Sequence, residues 1–518
     1  MKPLWRCFAR DFALETRTIA LSLLLGSLTL AAFPAQAQTV AGSGRQPQAT
    51  AAARVEQRRK QTERITPDNY SLSRHPIDSA NEAHWRELLW TTAVVEPQEP
   101  FVAEALSRIL ELMSRPGLSA SQQRTVDAAT KVGTQLYLGN PTQYAVVGQQ
   151  FSQAIVQSPD PEWVAVSLAA VRGGMSASQL RSLMASVKAR FPNWQQDVHL
   201  RTTLQETTEF LDDRPVPPLG ALLNWTIAPQ QLHLYVLCQR DREVLCQAVL
   251  KDGQGQFVRQ SGQLWTMPLL LRSLHRLNWN FVRGNTPQGI FRIEGVVPQP
   301  DDEYFRAYGQ FALVNLYIPF EAGAKAFLPG IPGAFKGSLD TYQNLLPPAW
   351  RNYSPIQQSF WAGRAGRSEF RIHGTGESPD FFSGNKSSDN GQRSSTYDWN
   401  PTIGCLSALE LYNDQGQLMR SDMPRLLQTL ESIGGSKFTG YLVVVDVGNG
   451  TQPIDRAAIE AAIAAPESNP DFSKTKALQP SEMKPPLESL PQIDRPRLTD
   501  SPIPKPQADE LPRVPLAY

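Results

Sequence analysis

The chain is poor in the residues that build metal and thiol centres: four cysteines and six histidines in 518 residues. No C-x-x-C or H-x-x-x-H spacing occurs, so no metal site is expected. No glycine loop of phosphate-binding spacing is present either, and no cofactor is expected. Charge of one sign is also missing. Fifty Lys and Arg face 49 Asp and Glu, a formal net charge of +1, and no long basic run occurs. That balance gives no field for nucleic acid or an anionic membrane surface, so neither is expected as a partner. An apolar run of about 20 residues, the length of a membrane span, is absent as well. The nearest approach is the stretch IALSLLLGSLTLAAF, Ile19 to Phe33.

That stretch has a different use. Lys2, Arg6, Arg10 and Arg17 precede it, and Pro34 with Ala35-Gln36-Ala37 follows. A basic segment, a short apolar core and an A-x-A site make a secretory signal over residues 1–37, cleaved after Ala37. The expected location is periplasmic or cell-envelope, with no stable membrane span. An uncleaved signal would instead anchor the chain in the inner membrane. Of the four cysteines, Cys7 would leave with the signal. Cys238 and Cys246 flank the charged turn Gln239 to Glu243 in a hairpin pattern, where a disulfide and two buried thiols both fit. If they pair, Cys405 is an odd thiol in an exported protein, which points to reactivity.

Texture divides the rest. Residues 38–78 begin with a stretch rich in Ala, Gln, Arg and Ser and read as a flexible linker. Residues 79–212 carry apolar positions at steps of three and four in successive segments. Ser119 and Ser176 are candidate N-caps, and breaks fall at Gly139-Asn140-Pro141, Pro159-Asp160-Pro161 and Gly173-Gly174. This predicts an all-helical domain, solenoid- or bundle-like, serving as a protein-binding scaffold or a spacer. After the Pro-rich step at Arg214 to Pro218 the pattern becomes short strands: LHLYVLC, VLCQAVL, GIFRIEGVV, ALVNLYI, EFRIHG and GYLVVVDV, a mainly-β domain over 220–450. The tail, 452–518, opens with a short helical pattern and turns Pro-rich and polar, which predicts disorder. The fold class expected is therefore an α+β multidomain chain.

Two places in the β-rich part carry chemistry. His75 precedes a proline, and His84 and His199 lie on helical patterns. His373 differs: it ends the strand pattern Glu369-Phe370-Arg371-Ile372 and is followed by Gly374-Thr375-Gly376, a near-site loop. Glycine there lets backbone approach a substrate. Cys405 lies in Pro401-Thr402-Ile403-Gly404-Cys405-Leu406-Ser407-Ala408-Leu409-Glu410-Leu411. Gly404 permits a tight turn, and LSALELY reads as the start of a helix. A cysteine entering a helix is favoured as thiolate, and the turn amides can hold an oxyanion. The pair has the parts of a nucleophilic acyl transferase: Cys405 as nucleophile and His373 as base.

IHGTG followed by TIGCLS resembles the two-part signature of the L,D-transpeptidase (YkuD-type) catalytic domain. A third piece, Asn285-Thr286-Pro287-Gln288-Gly289-Ile290-Phe291, is similar to that family's Thr-Pro-x-Gly-x-Phe segment. The order of the three agrees, and the resemblance covers roughly residues 220–450. It implies Cys405 as nucleophile, His373 as base, Gly404 on the oxyanion turn and Thr402 as the signature hydroxyl. It further implies attack at an L,D peptide bond, with peptidoglycan stem peptides as partners. Two departures stand out. Ile403 replaces the family's usual second histidine, and His373 and Cys405 are 32 positions apart, more than is usual. The extra length, GESPDFFSGNKSSDNGQRSSTYDWN, reads as a lid or a tolerated insertion. Arg364, Arg367, Tyr353 and Trp350 precede the histidine strand and either contact substrate or pack a loop. The competing readings are a catalytically degenerate, peptidoglycan-binding domain and a scaffold whose helical part binds a protein.

Overall fold

The structure is a computed structural model and describes residues 47–212, 215–298, 310–375 and 399–464. The expected signal, the polar insert at 376–398 and the tail beyond residue 464 lie outside the described residues.

The N-terminal region is helical: α1 (Ala51–Thr62), α2 (Glu82–Val95), α3 (Pro100–Leu110), α4 (Ala120–Gly139), α5 (Ala145–Gln157), α6 (Pro161–Val171), α7 (Ala177–Arg190) and α8 (Val198–Asp212). Both serine caps form full capping boxes, Ser119 with Gln122 and Ser176 with Gln179. Each satisfies two N–H groups that the first turn would otherwise leave without partners. Asp160 caps α6 by accepting from the N–H groups of Glu162 and Trp163. The apolar faces meet in one cluster that includes Trp85, Leu106, Ile109, Phe151, Trp163 and Leu204.

The linker expected over 38–78 is structured where it is described. Ala51–Thr62 is a helix capped by Thr50. Its Ala, Arg and Gln content has high helix propensity even without an apolar stripe. Arg59 pairs with Glu56 and Glu63 along its surface. Gln61 is buried and accepts from Thr91 Oγ1 at 2.6 Å, tying the helix to α2. Tyr70, beyond it, is buried and hydrogen-bonds Thr92 at 2.7 Å.

The C-terminal part is built on a large, curled mixed sheet. Its strands are β1 (Leu232–Gln239), β2 (Cys246–Lys251), β5 (Thr266–Leu269), β6 (Gly289–Val297), β7 (Leu313–Tyr317), β8 (Arg371–Thr375), β9 (Leu406–Tyr412), β10 (Leu418–Ser421) and β11 (Thr439–Gly448). The pair β3 (Arg259–Gln260) and β4 (Gln263–Leu264) forms a separate ribbon. The nine-stranded order is β10-β9-β8-β7-β6-β11-β1-β2-β5. β1 runs parallel to β11 and β8 parallel to β9, and the other pairs are antiparallel. Just past β5, Leu270 exchanges both backbone hydrogen bonds with Ser407 of β9, at 3.0 and 2.9 Å. The two ends of the sheet thus meet at β9.

Period-2 alternation sorts the strands onto two faces. Leu234, Val236, Phe291, Ile293, Leu316, Ile372, Leu406 and Ala408 pack on one face under α13 (Met423–Gly434), which contributes Met423, Leu426 and Leu430. Tyr235, Leu237, Ile290, Tyr441 and Val443 pack on the other. That face is covered by α9 (Leu219–Leu223), α10 (Leu339–Gln343), α11 (Pro348–Arg351), α12 (Gln358–Arg364) and α14 (Arg456–Ala464), with Trp350, Phe360 and Ile459 in the contact. Most of these side chains are fully buried, and each contributes about 1.5–3 kcal/mol relative to an exposed position. The hairpin β1–β2 carries the disulfide Cys238–Cys246, which leaves Cys405 as a free thiol.

Helical and β-rich parts share a core. The loop between β5 and β6 sends Leu274, Leu277 and Phe281 into the helical cluster. His275 Nδ1 meets Gln135 Oε1 at 3.0 Å, and Asn280 Nδ2 donates to Thr202 and Thr203 of α8. Among the described residues no helix is long and apolar enough to cross a membrane.

Candidate functional site

The same β5–β6 loop that docks on the helices also builds the turn before β9. Ser273 bridges Thr402, and the Leu274 N–H donates to Thr402 O at 2.7 Å. At its far end Thr286, fully buried, donates from Oγ1 to Gly404 O at 2.9 Å. Within the turn, Thr402 Oγ1 donates to Cys405 O at 2.7 Å and accepts the Gly404 N–H at 3.2 Å. Two hydroxyls therefore hold the backbone on either side of Cys405. Gly404 sits at φ +131°, and a Cβ there would lie 2.5 Å from Arg367 Nη2. Only glycine fits that conformation in that space.

Arg367 is the turn's third support. Its side chain is buried, with Nη2 donating to Gly284 O at 2.8 Å and Nη1 to Asn285 O at 2.7 Å and to Trp279 O. The guanidinium lies over the Phe370 ring at 4.7 Å. Burial lowers its pKa to about 9, and the Cys405 charge pulls it back up. As one of four residues ahead of the histidine strand, Arg367 stood between contacting substrate and packing a loop. Its partners are three backbone carbonyls of the loop that carries Thr286.

The parallel pairing of β8 and β9 sets His373 opposite Ser407, two residues beyond Cys405. Cys405 itself precedes β9 and lies in the turn. Thr375 Oγ1 meets Ser407 Oγ at 2.6 Å, so this face of the two strands is continuous. His373 is partly exposed, and its Nδ1 hydrogen-bonds Gly374 O at 3.0 Å. That contact orients the ring, and Nε2 makes no hydrogen bond to the described residues. Burial lowers the imidazole pKa, while the Gly374 carbonyl and the Glu410 charge act to raise it. Gly374 has its own constraint: a Cβ there would meet Glu410 Oε2 at 2.1 Å.

Among the described residues the thiol and the imidazole share no hydrogen bond. Cys405 Sγ is directed at Glu369 O, 3.7 Å away. Burial pushes the thiol pKa up, against the opposing pull of Arg371, through its charge and its backbone N–H, and of Arg367. Glu369 is itself unusual, a non-glycine residue at φ 66°. Its N–H donates to Glu321 Oε1 at 2.7 Å, which pins that backbone beside the sulfur. Burial raises Glu321 to about 7.

One local expectation is overturned. LSALELY is strand β9, not the start of a helix. Its apolar residues suit both periods over so short a run. The parallel ladder with β8 and the bridge to Leu270 supply backbone partners on both sides, and all its residues except Glu410's neighbour Leu411 are buried. Cys405 consequently has no helix N-terminus behind it; the positive charge near it comes from Arg367 and Arg371. Gly404 occupies the turn as expected, but its N–H is already taken by Thr402.

Thr286, Glu369 and Glu410 stand in segments singled out in the sequence without a role of their own, and Glu321 stands in none. Glu321 comes from the loop after β7 and Glu410 from the opposite face of β9, and no spacing rule links either to residue 405. His233 and His275 are buried in packing roles, with His233 Nε2 accepting the Ile227 N–H at 3.0 Å. No group of three metal-ligating side chains occurs among the described residues. A cavity of about 200 Å³ opens elsewhere, beside β6 and β11, where Arg292, Tyr441 and Gln231 line it. No family model, no curated protein and no solved structure matches the chain.

Proposed function

We propose that the chain is an exported cysteine acyltransferase of the L,D-transpeptidase kind, acting on peptidoglycan stem peptides. The observation that supports this most is the parallel pairing that sets His373 beside Ser407, two residues past Cys405, with Thr286 and Thr402 bonded to the nucleophile's turn and Arg367 to the loop behind it. In the proposed reaction the thiol leaves its Glu369 contact and gives its proton to His373 Nε2. The thiolate attacks the carbonyl carbon of the donor peptide. The carbon–nitrogen bond breaks, and the terminal D-residue departs with the proton from His373. With the Gly404 N–H taken by Thr402, the Cys405 N–H serves the oxyanion in this reading. An acceptor amine or water then resolves the thioester. In this reading the N-terminal signal pattern directs the chain to the cell envelope, and the helical region serves as a scaffold for a protein partner.

A second reading has its own support. The sulfur's contact with Glu369 O, its raised pKa and Ile403 favour a domain that binds stem peptides without turning them over. Incubation of the mature protein with a tetrapeptide muropeptide, followed by mass spectrometry, separates the two. An acyl adduct on Cys405 with loss of the terminal residue, absent from Cys405→Ala, is the expected result. A folded protein that binds the muropeptide without an adduct would replace the first reading with the second.

A further inference from the structure

Arg367 is a buried cation without an anion. Among the described residues no carboxylate lies within ion-pair distance, and its hydrogen bonds all go to backbone carbonyls. Carbonyl dipoles solvate a guanidinium only in part, and an uncompensated buried charge is costly. Neutral carbonyl ties could be supplied by a neutral donor, so the hydrogen bonds alone give no reason for a charge here. The group that approaches Arg367 where Gly404 has no side chain is the turn that bears Cys405.

The other charged groups around the sulfur are accounted for differently. Arg371, on β8, pulls harder on the thiol than Arg367 does, but it is partly exposed and has the Glu321 carboxyl in its field. Glu369, between the two arginines, contributes a repelling charge. His373 lies two positions along the neighbouring strand. Arg367 alone is buried, cationic and fixed by three ties in the loop that also holds Gly404.

We propose that Arg367 is a positioning residue that holds the Cys405 turn and keeps an unpaired charge for the anion formed there, the Cys405 thiolate. The inference rests on the reading of Cys405 as a nucleophile. On ionisation the Sγ proton passes to His373 or to water, and the thiolate left behind faces the Arg367 charge. The charge does for Cys405 what a helix N-terminus does in other thiol enzymes, and its source is a residue nearly 40 positions upstream.

The test uses the full mature chain and two small alkylating probes, so it needs no peptide substrate. Iodoacetamide leaves a neutral group on Cys405 and iodoacetate a carboxylate; in each, the thiolate displaces iodide. Wild-type protein carboxymethylated at Cys405 is expected to unfold at a higher temperature than protein carbamidomethylated there. Equal or reversed melting temperatures would overturn the proposal without any variant. In Arg367→Met the midpoint of the pH–rate profile for alkylation should rise by about one unit, roughly a tenfold slower reaction at neutral pH. Arg367→Lys, which keeps the charge but loses the forked geometry, should hold the midpoint while lowering the melting temperature. A purely structural tie predicts both variants destabilised and the midpoint unmoved in Arg367→Met as well, which would overturn the proposal. Wild-type Cys405 that resists alkylation up to about pH 9 would overturn this inference and the nucleophile reading together. A charge-dependent profile with no muropeptide turnover would sink the proposed function alone.

Discussion

Thr286→Val is the sharpest probe of how the nucleophile turn is held. Valine has nearly the shape of threonine, so the change removes a hydroxyl from a fully buried site and little else. Thr286 Oγ1 donates to Gly404 O at 2.9 Å, with a longer approach to Cys405 O at 3.5 Å. Cys405 O keeps its shorter bond from Thr402 at 2.7 Å, so the loss falls on Gly404 O. Stranding one buried acceptor costs about 1–3 kcal/mol. With one bond lost and no charge involved, about 1.5 kcal/mol is the working figure. That energy is lost by the closed turn, so it appears as easier local opening around Cys405. The assay is labelling of Cys405 by a bulky thiol reagent under native conditions, where reaction follows opening. Roughly tenfold faster labelling is expected, because about 1.4 kcal/mol corresponds to a factor of ten. Thr286→Ser retains the hydroxyl and should label at the wild-type rate. If valine and wild type label alike, the Thr286–Gly404 bond does not secure the turn, and the role assigned to this loop fails.

Two further perturbations test the frame around the site. Gly404→Ala forces a side chain into φ +131° and within 2.5 Å of Arg367 Nη2, whose ties prevent retreat. Backbone strain of about 1–3 kcal/mol plus the overlap should show as a clear loss in chemical denaturation, and an unchanged midpoint would contradict the turn geometry. Replacing Cys238 and Cys246 together by serine opens a loop whose ends are 8 residues apart. Loop-closure entropy puts the loss at about 2.5 kcal/mol, and a serine pair as stable as wild type under non-reducing conditions would refute a disulfide role in the hairpin.

Much of the element pattern was legible because it is local. The helical stretches from α2 to α8 and the caps at Ser119 and Ser176 follow from periodicity and side-chain chemistry within a few residues. The strands β1, β6, β7, β8 and β11 were visible as apolar runs between turn residues. LSALELY was misread because its seven residues satisfy either period until β8 and Leu270 bracket it. Ala51–Thr62 was misread for the converse reason: its helix is stabilised by propensity, Thr50 and a docking contact, none of which leaves an apolar stripe. At the site, His373, Thr402, Gly404 and Cys405 stood out by motif. Arg367, Glu321 and Glu410 reach it from other elements, through contacts set by strand order. How the β5–β6 loop joins the helical core to the cysteine turn depends equally on tertiary placement, and no single segment carries a sign of it.

Glu410 makes the sheet's stability depend on pH. It is buried on the face of β9 opposite the site, accepts the Gln310 N–H at 3.0 Å and the Tyr412 hydroxyl, and lies against Gly374. Burial raises its pKa from 4.5 to about 7, with the Tyr412, Gln310 and His373 contributions lowering it in part. A carboxyl raised on folding binds more protons in the folded state than in the unfolded one. Its contribution is full below the unfolded value and is lost as pH rises through about 7. The difference corresponds to about 3 kcal/mol at most. Glu410→Gln keeps an acceptor for Gln310 and cannot ionise, so its stability should track wild type near pH 5 and exceed it by up to about 3 kcal/mol near pH 8.5. Denaturation curves at several pH values provide the measurement, and parallel wild-type and variant curves would refute a buried ionisation at this position.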